Sequence, residues 1–163
     1  MDNKGIYIAF YKVYGNPCAT WLDYIIALFS FGSYSHVEIL LDNDLAFSSS
    51  GRDGCVRYAH INRKDPSFLD RWDVIKITSD RIEDVIYEET LSKVNKMLGK
   101  KYDYLGALLS IFRMPKSFNK DKYFCSELVA EILKDYDEFA YLDEPHTYTP
   151  TRLRKDIIRH LKE

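Results

Sequence analysis

The sequence predicts one α+β domain, with a mostly antiparallel sheet laid down first and helices packed on it afterwards. Three observations predict it. Segments with β-branched and aromatic residues in period-two alternation gather ahead of Thr78. Segments with a 3.6-residue apolar period dominate after it. A length of 163 residues without repeats or a dividing linker fits one domain spanning residues 1–163.

The elements follow in order. Gly5 to Tyr14 is rich in aromatic and β-branched side chains and reads as a strand, broken by Gly15-Asn16-Pro17. Thr20 caps a helix through Trp21, Tyr24, Ile25, Leu28 and Phe29, closed by Gly32. Ser35 to Leu41 alternates, with Val37, Ile39 and Leu41 on one face and His36, Glu38 and Leu40 on the other. Asp42-Asn43-Asp44 supplies a turn, and Leu45 to Ser49 the hairpin partner. The turn Gly51-Arg52-Asp53-Gly54 leads to a short strand at Val56 to Tyr58, and another strand runs from Trp72 to Thr78. Asp80 and Glu83 form a capping box for a helix ending at Gly99, with Ile82, Val85, Ile86, Val94 and Met97 in period. Further helices are expected at Asp103 to Phe112, Ser126 to Tyr136 and Thr151 to Leu161.

Composition excludes several functional classes. A net charge of −2 with mixed signs lacks the basic face that nucleic-acid binding requires. The cluster Arg152, Arg154, Lys155, Arg159 and Lys162 reads as the solvated face of the last helix. Three cysteines without close pairs (Cys18, Cys55 and Cys125) argue against a disulfide framework or a thiolate zinc site, so no metal or cofactor is expected. The N-terminus lacks signal-peptide character, and the greasiest segment, Tyr24 to Phe31, is too short to span a bilayer. A cytoplasmic location with no membrane span is expected.

Cys125 carries the strongest chemical signal. It stands in Tyr123-Phe124-Cys125-Ser126-Glu127-Leu128-Val129, at the start of a helix whose buried stripe is Phe124, Leu128, Val129, Ile132 and Leu133. A thiol there feels the partial positive charge of helix N-terminal amides, which favours thiolate, and the same amides suit an oxyanion. A thiol nucleophile needs a base, and the base needs a group to fix its ring. His36 and Glu38, two residues apart on one strand face, supply both types. The plainer alternative is a wet polar strand face. His36-Val37-Glu38 also fits a zinc deaminase, but Cys125 is followed by Ser126-Glu127-Leu128 where that chemistry needs a second thiolate. His60, His146 and His160 are expected at the surface, and Cys18 and Cys55 have no activating pattern.

At these residues the chain resembles the circularly permuted NlpC-type branch of the papain-like superfamily, the group that includes YiiX and YaeF. Ser35-His36-Val37-Glu38-Ile39 looks like its His strand, and Gly51-Arg52-Asp53-Gly54-Cys55-Val56 resembles the turn and strand that follow. Gly99-Lys100-Lys101-Tyr102-Asp103-Tyr104-Leu105-Gly106 is similar to its Gly-x-x-Tyr-Asp segment, and Thr149-Pro150-Thr151 to its late Pro turn. Tyr123 to Val129 matches its nucleophile helix. The resemblance implies a small antiparallel sheet or half-barrel packed against that helix. It also implies Cys125 as nucleophile, His36 as general base and Glu38 as third member. Phe124 departs from the Asp that many relatives carry before the Cys, so contacts made by that Asp do not transfer.

The expected activity is cysteine peptidase or amidase chemistry through an acyl-enzyme. Tyr102, Tyr123 and Ser126 are candidate substrate contacts, and the partner is a small amide, peptide or lipid-like acyl substrate. Two alternatives stand beside it: lipid acyl hydrolysis or transfer of the lecithin retinol acyltransferase type, and a non-catalytic binding protein of the same fold. The lipid alternative would use Tyr104 to Phe112 as an acyl groove, whereas a buried helix is the expectation for that stretch.

Overall fold

The computed structural model describes residues 5–41, 44–77, 83–114 and 121–161. Asp42 and Asn43 of the first turn, Thr78, and Asp80 of the capping box lie outside the described residues, as does Ile82. The strands are β1 (Tyr7–Lys12), β2 (Tyr34–Leu40), β3 (Leu45–Ser50), β4 (Cys55–His60), β5 (Trp72–Lys76), β6 (Lys101–Tyr102) and β7 (Lys122–Tyr123). They form one mixed sheet in the order β5-β1-β2-β3-β4-β6-β7. Every neighbouring pair is antiparallel except β6 and β7, which run parallel. The helices are α1 (Trp21–Phe29), α2 (Phe68–Arg71), α3 (Glu83–Met97), α4 (Tyr104–Ile111), α5 (Cys125–Lys134) and α6 (Pro150–His160).

The alternation along β2 decides what each side of the sheet meets. Val37, Ile39 and Leu41 join Ile6, Ile8 and Phe10 under Leu128, Val129, Ile132 and Leu133 of α5 and Leu153 and Ile157 of α6. Leu40 faces the other way, into a smaller cluster with Ala9, Ala46, Phe68 and Trp72. Both sides of the sheet are therefore covered, which corrects the alternative of a wet strand face: Glu38 is 2% exposed. The last helix keeps its expected solvated face at Lys155 and Arg159, which are exposed, while Lys162 lies outside the described residues. Arg152 and Arg154 are half-buried instead: Arg152 donates to the Thr147 carbonyl, and Arg154 pairs with Asp73 and lies over the Tyr34 ring.

β6 and β7 were not foreseeable from periodicity, since two residues cannot show one. They matter because Tyr102 pairs beside Tyr123, two residues ahead of Cys125. Asp103 then caps α4, its carboxylate accepting from the Gly106 N–H at 2.8 Å. A Cβ on Gly106 would stand 2.5 Å from that carboxylate, so the cap requires glycine there.

Two helices turn apolar side chains outward, and α4 departs from expectation in doing so. The stretch Tyr104 to Phe112 is not buried: Tyr104, Leu105, Leu108 and Phe112 are exposed. In α1 the apolar stripe also points outward, with Trp21, Leu28 and Phe29 exposed and only Asp23 and Ala27 buried. Both helices close in a Schellman motif. In α1 the Gly32 N–H bonds to the Ala27 carbonyl and the Phe31 N–H to Leu28; in α4 the Met114 N–H bonds to Leu109 and the Arg113 N–H to Ser110. The left-handed position, normally glycine, holds Phe31 (φ 51°) and Arg113 (φ 54°). That placement costs about 1–2 kcal/mol per residue. Gly32 follows Phe31 and serves a different need, because a Cβ there would meet Thr151 Oγ1 at 2.1 Å.

Candidate active site

Cys125 is the first residue of α5 and is 4% exposed. Neighbouring contacts fix the segment from both directions. Ser49 Oγ donates to the Tyr123 carbonyl at 2.6 Å, and Ser126 Oγ donates to the Tyr148 carbonyl at 2.7 Å. Phe124 holds the N-cap position but has no acceptor in its side chain, so no side-chain cap covers the first amides of α5. The Glu127 carboxylate accepts from the Phe124 N–H, at 3.4 Å. A helix N-terminus left without a side-chain cap is a ready site for developing negative charge.

His36 comes from β2, where the β2–β3 ladder pairs Ile39 with Phe47 and Leu40 with Ala46. Towards His36, Ser48 Oγ donates to the Val37 carbonyl at 2.8 Å, so a side chain takes up an acceptor that a regular ladder would use. His36 Nε2 lies 2.9 Å from Glu38 Oε1. The same ring lies close enough to Cys125 for the charge and hydrogen bonding of that side chain to act on it. A strand and a helix separated by most of the chain thus bring imidazole and thiol together.

Opposing effects set the charge on His36. Burial alone would pull its pKa down. The negative charge and hydrogen bond of Cys125, then those of Glu38, outweigh burial and push it up to about 10. Glu38 shows the converse balance: burial would raise its carboxyl, but His36 and then Arg57 hold it below the usual range. The sequence gives no direct sign of Arg57's role. Its Nη2 donates to Glu38 Oε1 at 3.0 Å, and its Nε donates to Asp53 at 2.9 Å. One carboxylate oxygen therefore holds both the imidazole and a guanidinium. Arg57 stands opposite Ser48 in the β3–β4 ladder, so alternation puts it on the Glu38 face once the strand order is known.

No protein-family model matches this chain, and no curated protein matches it. The site is read from its own geometry.

The three candidate substrate contacts lie in different places. Tyr102 is beside Cys125; burial first, then the charge of Cys125 and of Tyr104, push its hydroxyl well above the ordinary value, so it stays protonated and able to donate. Its ring packs on Tyr104 with centroids 4.7 Å apart. Tyr123 points elsewhere. Its ring lies under Lys100 Nζ at 5.1 Å, and its acidic neighbours are Glu131, Glu127 and Asp121. Ser126 is fully buried with its hydroxyl committed to Tyr148, so it is not presented to a ligand. Cys18 is exposed and Cys55 half-buried, and His60 and His160 are exposed while His146 is half-buried. Among the described residues, no group of three His, Cys, Asp or Glu side chains could hold a metal ion.

Proposed function

We propose that this chain is a thiol hydrolase of the permuted papain-like type, forming an acyl-enzyme on Cys125. The observation that carries the reading is the chain Cys125–His36–Glu38–Arg57, in which the half-buried imidazole, set between the buried Cys125 and Glu38, is held as a cation beside the thiol. A thiolate beside an imidazolium is an activated nucleophile with its proton donor already in place.

The chemistry follows from the parts. Cys125 Sγ adds to the substrate carbonyl carbon, and the oxyanion faces the uncapped first amides of α5. Tyr102, kept protonated, is a second donor from the other wall. Collapse breaks the bond to the leaving amine, which takes the proton from His36. Water then attacks the thioester as His36 accepts its proton, releasing the carboxylic acid and restoring the thiolate. Glu38 fixes the ring's orientation throughout and stabilises its protonated form. Amides and peptides are the first substrate class to test.

Acyl transfer from lipids is the second reading, and one observation favours it: the α4 face expected to be buried is exposed beside Tyr102. Intact-mass analysis after iodoacetamide at neutral pH tests the common core. The wild-type chain should gain its fast adduct at Cys125, and Cys125→Ala should lose it. Equal fast labelling of the variant would remove the assignment.

A further inference from the structure

The outward faces of α1 and α4 are the largest feature that the thiol chemistry leaves unexplained. Trp21 (74% exposed), Leu28 (65%) and Phe31 (88%) project from α1 and its end, and Leu105 (60%), Leu108 (54%) and Phe112 (64%) from α4 and its end. Exposed side chains of this size gain nothing from the fold and mark a surface that meets a partner. Phe31 sharpens the point. It occupies a left-handed position that glycine would fill without strain, and it presents its ring to water.

The two helices share neighbours at both ends. At their starts, the Arg52 guanidinium reaches Asp23 of α1 at 3.3 Å, and the adjacent Gly51 carbonyl accepts from the Tyr104 hydroxyl at 2.8 Å. At their finishes, Gly32 abuts Thr151, while Arg113 is close enough to Arg152 to lower its pKa together with burial. The site lies between the two starts. Ser35, next to His36, donates to Asp23 at 2.7 Å, and the Tyr104 ring packs at a tilt against Tyr102 beside Cys125.

Charge selects the partner. The acids of these segments, Asp23 and the α4 cap Asp103, are both buried, and neither helix presents an outward charge. Exposed cations stand at the two ends instead: Arg52 at the start, paired with Asp23 and adjacent to the exposed Asp53, and Arg113 at the finish, close to Arg152, so the net positive charge lies at the finish. Aromatic and aliphatic side chains flanked by arginines fit the boundary between acyl chains and anionic headgroups. A second copy fits less well. A two-fold contact between such faces sets each arginine against its own equivalent or the other, like against like. The helices are also too short to cross a bilayer, and no helix among the described residues is long and apolar enough to do so.

We infer that α1 and α4 form a paired interfacial face that seats the protein on an anionic lipid surface, with Cys125 opening toward that surface. The lipid docking stands on the helices alone; that the substrate is an acyl lipid of the same surface rests on the thiol reading above.

Co-sedimentation with phosphatidylcholine vesicles, with and without phosphatidylglycerol, tests it. The intact chain should bind, about tenfold more tightly to the anionic vesicles. Leu28→Glu and Phe112→Glu should each lose most of that binding while Cys125 keeps its iodoacetamide labelling, and the milder Leu28→Ala and Phe112→Ala serve if either acidic variant misfolds. A monomer that stays in the supernatant with both vesicle types overturns the docking, as does sedimentation velocity showing a dimer that Phe112→Glu dissolves. Vesicle binding without fast labelling of Cys125 keeps the docking and overturns the acyl-lipid substrate; labelling without binding keeps the thiol chemistry and overturns the docking together with the acyl-lipid substrate.

Discussion

Arg57 donates through Nη2 to the same oxygen of Glu38 that holds His36 Nε2, at 3.0 Å and 2.9 Å respectively. The guanidinium is anchored in turn by Asp53, so the imidazole is oriented by a chain of charges running from β2 across β3 to β4 and its preceding turn. Arg57 does not touch the thiol. It acts through Glu38, which makes it a positioning residue whose loss should change a pH profile more than it changes the fold.

Arg57→Gln should slow Cys125 labelling by about tenfold on the acid side of the profile, because Glu38 without that cation takes up a proton at a higher pH than in the wild type. Near pH 8 the loss should be much smaller, and Arg57→Lys should recover part of it. The rate of iodoacetamide adduct formation against pH checks this. A uniform loss across pH would mean that Arg57 acts through packing alone.

Glu38→Gln tests the carboxylate itself, and the sign of its effect on stability follows from the shift. Its folded pKa is depressed, so its contribution is present above the ordinary value of 4.5 and is lost as pH falls through the lowered value. His36 works in the opposite sense. Its contribution is complete below 6.5 and is lost as pH rises through about 10. Glu38→Gln should therefore flatten the acid side of a Tm-against-pH curve. It should also cost about 3–5 kcal/mol at neutral pH, because Arg57 and a charged His36 lose their buried partner.

The register along β2 was legible in the sequence because its period is two and one face is wholly apolar. The buried stripe of α5 was legible for the same kind of reason: Phe124, Leu128, Val129, Ile132 and Leu133 are all buried where the 3.6 period puts them. What failed was the expectation that the Tyr104 to Phe112 helix is buried. In α1 and α4 the periodicity predicted the helices but not the direction of their greasy sides, since pattern carries no information about what covers a face. Arg57 was illegible for another reason. Its partner Glu38 is 19 residues away on a strand that is not its neighbour, and strand order is a property of the whole sheet.

Phe31→Gly should stabilise the isolated protein by about 1 kcal/mol, because it relieves a left-handed position without removing buried surface. Arg113→Gly should do the same at the end of α4. A rise in the urea midpoint at unchanged m-value is the readout.

Gly32→Ala should destabilise by about 1–3 kcal/mol, since its Cβ would fall 2.1 Å from Thr151 Oγ1 and force α1 away from α6. Thr151→Ser should not rescue it, because Oγ1 and Cβ both remain in the way. Thermal unfolding of the single and double variants decides between steric overlap and a purely local backbone effect.

The most direct test is an NMR titration of the His36 ring in the wild-type protein and in Cys125→Ala. The imidazole should remain charged up to about pH 10 beside an intact thiol, and should lose its proton at clearly lower pH once the sulfur is gone. Superimposable curves near the ordinary value of 6.5 would mean that the two groups do not share charge, and the acyl-enzyme proposal would fall with them.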